Sequence, residues 1–548
     1  NLDLKFRKLP FYPLNYRAVS SGKITKKTFQ LKKMSYFYRS KSVAMKTKLK
    51  SLSLLFMLFL SLSSAAQDGV GIGSWRTHMP YQNVIAVEGL GPKVYAATDY
   101  ELFSYDKEDN SIHILNKING LSDVDIATIR RNETLDLLVV AYKNANIDLL
   151  DKNGAIVNLS EIKDKTILGN KTINDVSFKD QLAYFACGFG IVVYDLNRLE
   201  VKDTYYIGVD GDAVNVTDIA FYNDRIYAAT TEGVYYADAE SNTLSNFASW
   251  TFDTTLIHPH LGYNELEAFG GKLLLNYTGN AYNTDTLFVY DGHSWQYFNP
   301  SFVSNKRQIR ATGDRLLISA YSTVYVYNTS LEQEKNIHAC GGTLYPNAVY
   351  LDNQGNYWIG DMRRGMIRAT DSFSYEEIKP NGTYSKNVFE LSHQGKHVWI
   401  ASGGHDSNWA KLYAKNGVSH YDGSWWNNLN STNIPEFNDD NINDFICCAT
   451  DPFDTTVTYV GTWGKGVLKF VNDEYAMRYD TTNSSLEVWT QDRKLINISG
   501  LAFDSQGNLW VANTGANNLL SRMDRQGNWT SYNLGGTNSG IDISIMVI

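Results

Sequence analysis

Apolar and aromatic residues alternate with polar ones in short runs along most of the chain, and the runs end at Gly, Asn or Asp. That period of two is the mark of strands with one buried face, and the terminating residues suit tight turns. The clearest run is Val94-Tyr95-Ala96-Ala97-Thr98, followed by Leu102-Phe103-Ser104-Tyr105-Asp106. It returns as Leu182-Ala183-Tyr184-Phe185-Ala186-Cys187 before Gly190-Ile191-Val192-Val193-Tyr194-Asp195, and as Ile226-Tyr227-Ala228-Ala229-Thr230 before Gly233-Val234-Tyr235-Tyr236. Related blocks centre on Val139, Leu274, Leu317, Trp358, Trp399, Tyr459 and Trp510, so successive centres lie 44, 46, 42, 47, 43, 41, 41, 60 and 51 residues apart. No 3.6-residue periodicity accompanies the repeat, which argues against helical arrays of similar length.

Several short strands in a unit of 40–50 residues predict β-propeller blades, and ten units exceed what one ring holds. The expected fold is therefore all-β: tandem β-propellers, the first with seven blades and the second cut short by the end of the chain. Counting seven units ends the first ring near residue 371. A change of repeat style from Tyr-Ala-Ala-Thr to Trp-Ile-Gly points instead to about 340. The domains expected are thus 67–371 and 372–548. Asp352-Asn353-Gln354-Gly355-Asn356, Asp504-Ser505-Gln506-Gly507-Asn508 and Asp524-Arg525-Gln526-Gly527-Asn528 read as hairpin turns opened by Asp and closed by Gly. A Ser-Trp or Asn-Trp element (Ser74-Trp75, Ser294-Trp295, Ser424-Trp425, Asn528-Trp529) marks the outer end of units. Its first copy precedes the first unit, so residues 73–80 are expected to supply the outer strand of the first ring's last blade and close it. Ile541–Ile548 reads as the opening strand of an eleventh unit.

Upstream, Met45 begins a secretory signal: Lys46, Lys48 and Lys50, an apolar Leu52–Leu62, then Ser64-Ala65-Ala66 before a cleavage point at Gln67. The signal spans 45–66, and 1–44 is an unassigned basic extension. The apolar run is too short for a comfortable membrane span, so the processed chain is expected to be exported and peripheral to membrane.

Charge sharpens this picture. Residues 67–548 hold 36 Lys and Arg against 57 Asp and Glu, a net charge of −21, which makes nucleic acid a poor partner. Against that background Arg130-Arg131 and Arg363-Arg364 stand out as forks suited to the phosphate or carboxylate of an anionic glycan; the plainer reading pairs each with neighbouring acids. Cys187, Cys340, Cys447 and Cys448 form no metal spacing or disulfide framework and read as small buried side chains. Cys447 and Cys448 are adjacent in a strand and should face opposite ways. His258 and His260 flank a loop proline. His393, His397 and His405 follow no ligand pattern, and Asn438–Asp444 is an acidic connection rather than a calcium loop. No nucleophile elbow, P-loop or His-Glu-x-x-His is present, so no catalytic residue, cofactor or metal is expected.

Asn356-Tyr357-Trp358-Ile359-Gly360 through Arg368, and Tyr459-Val460-Gly461-Thr462 through Leu468, resemble the two-component-regulator propeller repeat. Ser74-Trp75-Arg76-Thr77-His78-Met79-Pro80-Tyr81, with Val94–Thr98 and Gly120-Leu121-Ser122-Asp123, resembles the PorZ family of type IX secretion components. That resemblance implies two seven-bladed propellers followed by a β-sandwich, at the outer-membrane surface. It also implies the sortase PorU with PorV and PorQ as protein partners, and presentation of anionic lipopolysaccharide for cargo attachment. It supplies no binding motif to carry over. Two alternatives remain open at this stage: a periplasmic glycan-sensing region of a hybrid two-component regulator, and a polysaccharide-cleaving propeller enzyme.

Overall fold

A computed structural model of the protein describes residues 75–534, apart from 168, 282, 491 and 493. The extension, the signal segment and Ile541–Ile548 lie outside the described residues. Strands dominate, in ten successive four-stranded antiparallel meanders: 86–115, 126–159, 173–205, 216–252, 263–297, 306–337, 346–378, 390–429, 445–479 and 496–532. They are numbered here as sheets 1 to 10. Sheets 9 and 10 are further joined where Trp463 and Gly464 pair with Asn497 and Ile496. The seventh sheet spans residue 371, and its last strand is Tyr375–Ile378.

The first strand of each sheet is innermost. In sheets 1 to 7 these strands neighbour one another in a closed circuit, with Pro346–Leu351 of sheet 7 beside Ala86–Leu90 of sheet 1. The core is distributed between sheets rather than held in one place. Each neighbouring pair clamps its own apolar cluster, as with Val192 and Phe185 against Val139. The last cluster of the circuit sets Trp358 and Met366 of sheet 7 against Val87 and Phe103 of sheet 1. Sheets 8, 9 and 10 follow the same plan: Cys448 belongs to the cluster between 8 and 9, and Cys447 to the cluster between 9 and 10. All four cysteines are buried, and burial pushes their thiols up. Phe389 and Leu391, at the innermost strand of sheet 8, and Tyr413, in the connection between its second and third strands, are exposed.

One local device repeats around the circuit. In sheets 2, 4, 5, 6 and 7 the second residue of the innermost strand is bulged out of the ladder, and sheet 3 shifts register at the equivalent place. A bulge frees one residue and re-aims its side chain. Here it clasps the next sheet: Thr217 Oγ1 donates to Tyr263 O at 2.6 Å, Arg307 Nη1 to Pro346 O at 3.0 Å, and Asn347 Nδ2 to Val84 O at 2.9 Å. The residue after the bulge accepts in return: Asp218 takes the Leu266 N–H (2.7 Å), Glu265 the Ile309 N–H (3.0 Å) and Gln308 the Val349 N–H (2.8 Å). Glu390 of sheet 8 receives the Cys448 N–H in the same way.

The turns form as the Asp-x-x-Gly-Asn pattern predicts. Asp352 Oδ1 accepts the Gln354 and Asn356 N–H groups, Gly355 takes φ +84°, and Oδ2 receives the Trp358 indole N–H at 2.9 Å. Asp504 does the same with Trp510. The later Trp elements likewise lie at outermost strands, which begin at Trp295, Trp426 and Trp529.

The N-terminal segment departs from expectation. Residues 75–85 add no outer strand to sheet 7, whose four strands all come from 346–378. They run instead as an irregular strap between sheets 7 and 1 and onto sheet 8. Gly365 N–H donates to Gln82 O and Val84 N–H to Asp361 O, while Tyr81 is buried and donates to Glu101. Further along, Arg76 Nη1 reaches the Tyr421 hydroxyl (3.1 Å) and the Trp426 indole donates to His78 Nδ1 (2.9 Å). With Tyr375–Ile378 already in place, the seventh sheet has its full complement, so the segment spends its hydrogen bonds fastening one circuit to the next.

Candidate functional site

The innermost strands of sheets 1 to 7 line an axial channel made of three adjoining cavities of about 440, 320 and 770 Å³. The row of residues that follows the bulges puts Asp175, Asp218 and Glu265 on this lining, and Glu88, Glu267, Arg130, Arg131 and Arg310 join them. Arg130 grips Asp175 with both ends of its fork, Nε–Oδ1 at 2.8 Å and Nη2–Oδ2 at 2.5 Å. Arg310 of sheet 6 pairs with the fully buried Glu88 of sheet 1, past the intervening sheet 7.

Carboxylates outnumber these cations, and the ionisation of the surplus responds. Burial, and then the Asp175 charge, raise Glu265 to about 8. Burial raises Glu267 to about 7 and lifts Asp218 well above the carboxylate range, with Asp175 adding to it. Burial works against the charge of Arg130, but Asp175 more than offsets it and holds the guanidinium firmly protonated. The channel therefore stores protons near neutral pH. Among the described residues no group of His, Cys, Asp and Glu is placed to hold a metal ion.

The residues singled out in the sequence separate on folding. Arg130 and Arg131 face the channel and are paired, Arg131 with Asp136 at 2.7 Å. Arg364 is paired with Glu377 and with the Cys340 carbonyl. Arg363 is different: its guanidinium lies 4.2 Å from the centre of the Tyr345 ring and makes no ion pair among the described residues. His258 and His260 are exposed, His260 stacked on Phe252. His393 is exposed, while His405 stacks on Trp409 and lies tilted against Trp463, so the three histidines of that region do not converge. In the acidic connection Asp440 pairs with Arg478 at 2.9 Å. Buried Asp444 accepts the Tyr413 and Ala414 N–H groups beside Lys411.

Two arrangements escaped the sequence reading. One is the channel carboxylates themselves; the 43- and 47-residue intervals between Asp175, Asp218 and Glu265 match the repeat and would have revealed them. The other is a chain in which Asp473 Oδ1 meets His420 Nδ1 at 2.7 Å and His420 Nε2 meets His397 Nδ1 at 2.9 Å, stacked on Trp399. Burial, and then His420, lower His397. No sequence spacing pointed to it, because its members come from separate strands and a hairpin turn.

Fold and site together define a tandem β-propeller with a charge-lined axis in its first circuit. Residues 94–251, within that circuit, match the family described as the TSS9, PorZ, N-terminal beta-propeller domain. No curated protein matches the chain in sequence. Among solved structures it is similar to PorZ of Porphyromonas gingivalis, described as an essential bacterial surface component of the type-IX secretion system. The two share 23% identity over 85% of this chain, with a TM-score of 0.71. The chain spans 60% of the length of that protein, and at this identity the likeness is one of fold. Two more distant matches come from B. thetaiotaomicron. The extracellular domain of a candidate hybrid two-component system shows 13% identity, covering 85% of this chain and 66% of that one, at TM-score 0.42. The extracellular domain of a candidate one-component system shows 12% identity, covering 84% and 72%, at TM-score 0.39. No helix of the described residues is long and apolar enough to cross a membrane.

Proposed function

We propose that the protein is a non-catalytic scaffold of the type IX secretion system, exported to the outer-membrane surface. There it joins the protein partners of a sortase-type attachment complex and presents anionic lipopolysaccharide for the anchoring of cargo. The observation that carries this reading is the match of residues 94–251 to the PorZ N-terminal propeller domain. The architecture supports it. Sheets stacked about an axis and clasped at each joint offer rigid, broad faces to partners, and such faces need little ordering when a partner binds. The first circuit commits its buried charge to pairs between sheets, as in Arg130–Asp175, rather than to a nucleophile and base within reach of each other.

Surface crosslinking of intact cells that produce the tagged protein, followed by identification of what is recovered, tests the assembly role. A sortase and its outer-membrane companions are the expected yield; a membrane-spanning histidine kinase recovered in their place overturns it. For the glycan role, vesicles carrying lipopolysaccharide with an anionic polysaccharide should retain the protein, and vesicles whose lipopolysaccharide is neutral should not.

A further inference from the structure

We propose that the cleft between the first circuit and sheet 8 is a binding site for an anionic saccharide, gripped from both circuits at once. The inference rests on the glycan part of the proposed function and assigns it a place. The cleft has a volume of about 560 Å³, within the range of small-ligand sites. Three cations border it from three parts of the fold. Arg363 stands in the turn between the second and third strands of sheet 7, Lys386 in the connection between sheets 7 and 8, and Lys415 in the loop before Val418–Tyr421 of sheet 8. All three are exposed, and none forms an ion pair among the described residues. The one carboxylate on the lining, Asp99, is already turned to Lys143 at 3.4 Å. In a processed chain of net charge −21, an uncompensated cluster of this sign focuses anions.

The remaining lining decides between anions. The Arg363 guanidinium lies over the Tyr345 ring and its N–H groups are not engaged by another side chain among the described residues, which leaves them free for a phosphate or carboxylate. The cleft is further lined by Asn83, Ser385, Asn416, Ser431 and Thr432, whose amides and hydroxyls suit the hydroxyls of a sugar. A saccharide bearing phosphate or carboxylate supplies both the charge and a set of hydroxyls spread along the cleft, whereas sulfate or chloride supplies charge alone. A ligand seated here touches Arg363 on one circuit and Lys415 on the next, so it also braces the joint that the strap of residues 75–85 spans.

Titration calorimetry on the purified protein tests this with dextran oligomers of one length in phosphorylated, carboxymethylated and unmodified form. Either charged form should bind, more weakly as salt is raised, and the unmodified form at least tenfold more weakly. The variant Arg363→Gln/Lys386→Gln/Lys415→Gln should lose at least tenfold in affinity. The remote variant Lys152→Gln/Arg198→Gln/Lys202→Gln, with the same change in net charge, should bind as the parent does. Unchanged melting temperatures establish that both variants are folded. If the charged oligomers bind but the cleft variant is unaffected, the site is wrong while the glycan reading survives. If no oligomer binds, or an oligoglutamate peptide binds as tightly as the charged dextrans, the saccharide inference is overturned. Retention on lipopolysaccharide vesicles tests the parent reading separately.

Discussion

Replacing Glu265 by Gln should stabilise the protein at pH 8 and leave it nearly unchanged at pH 5. In the folded chain this carboxyl titrates at about 8, against an ordinary value of 4.5, because it is enclosed by the channel wall and faces Asp175. The sign follows from proton counting. Between pH 4.5 and 8 the folded state holds a proton that the unfolded chain has released, so stability falls as pH rises through that window. Taken at face value, the displacement is worth ~4–5 kcal/mol. Glu265 is only half-buried, and solvent in the channel screens it, so ~1–2 kcal/mol is the working figure. Gln keeps the side-chain oxygen that accepts the Ile309 N–H and cannot ionise. By calorimetry at a series of pH values, the melting temperature of the Gln variant should rise relative to the parent by about 2–4 °C at pH 8, at roughly 2 °C per kcal/mol. The difference should shrink towards zero at pH 5. Parallel profiles for the two proteins from pH 5 to 8 would refute the argument, since they would mean that the channel carboxylate ionises as freely in the folded state as in the unfolded one.

Asp352→Ala removes the acceptor for two turn amides and strands the buried Trp358 indole N–H, which should cost about 2–4 kcal/mol. Asp524→Ala breaks an exposed turn of the same Asp-x-Gln-Gly-Asn pattern, to which no indole donates among the described residues, and should cost under about 1 kcal/mol; thermal melts compare the two. A side chain at Gly403 would run into the Phe445 and Asp444 backbone of the next sheet. Gly403→Ala should therefore destabilise by about 1–3 kcal/mol, read by urea unfolding through the tryptophans of sheets 8 to 10. His78 is held below the ordinary imidazole value by burial and then by Arg76, and it accepts the Trp426 indole N–H. Its contribution is complete above about pH 6.5 and is lost as pH falls towards its lower folded value. Limited proteolysis should consequently cut the strap faster at pH 5.5 than at pH 7.5, and His78→Ala should abolish that pH dependence; equal cutting of the parent at both pH values counts against it.

Which features the chain discloses on its own follows from how far apart the interacting residues lie. The strands, their grouping into units and the near-constant spacing of those units could be read because alternation and turn chemistry involve close neighbours. Asp352, Gly355 and Trp358 are six residues apart and settle their turn among themselves. Adjacent Cys447 and Cys448 had to face opposite ways once they lay in a strand, and they enter different clusters. The route of residues 75–85 is not legible in the sequence because their partners, such as Asp361 and Trp426, stand hundreds of positions away; a Ser-Trp pattern carries no information about whether another strand has already taken the outer edge. Tertiary structure alone made the channel. The bulges that aim Thr217, Arg307 and Asn347 at the next sheet, and that turn Asp218 and Glu265 inward, answer to a neighbour one unit away. Short-range pattern sets the pleat. The charge each side chain meets is set by which sheet packs beside it, and that became definite only when the circuit closed.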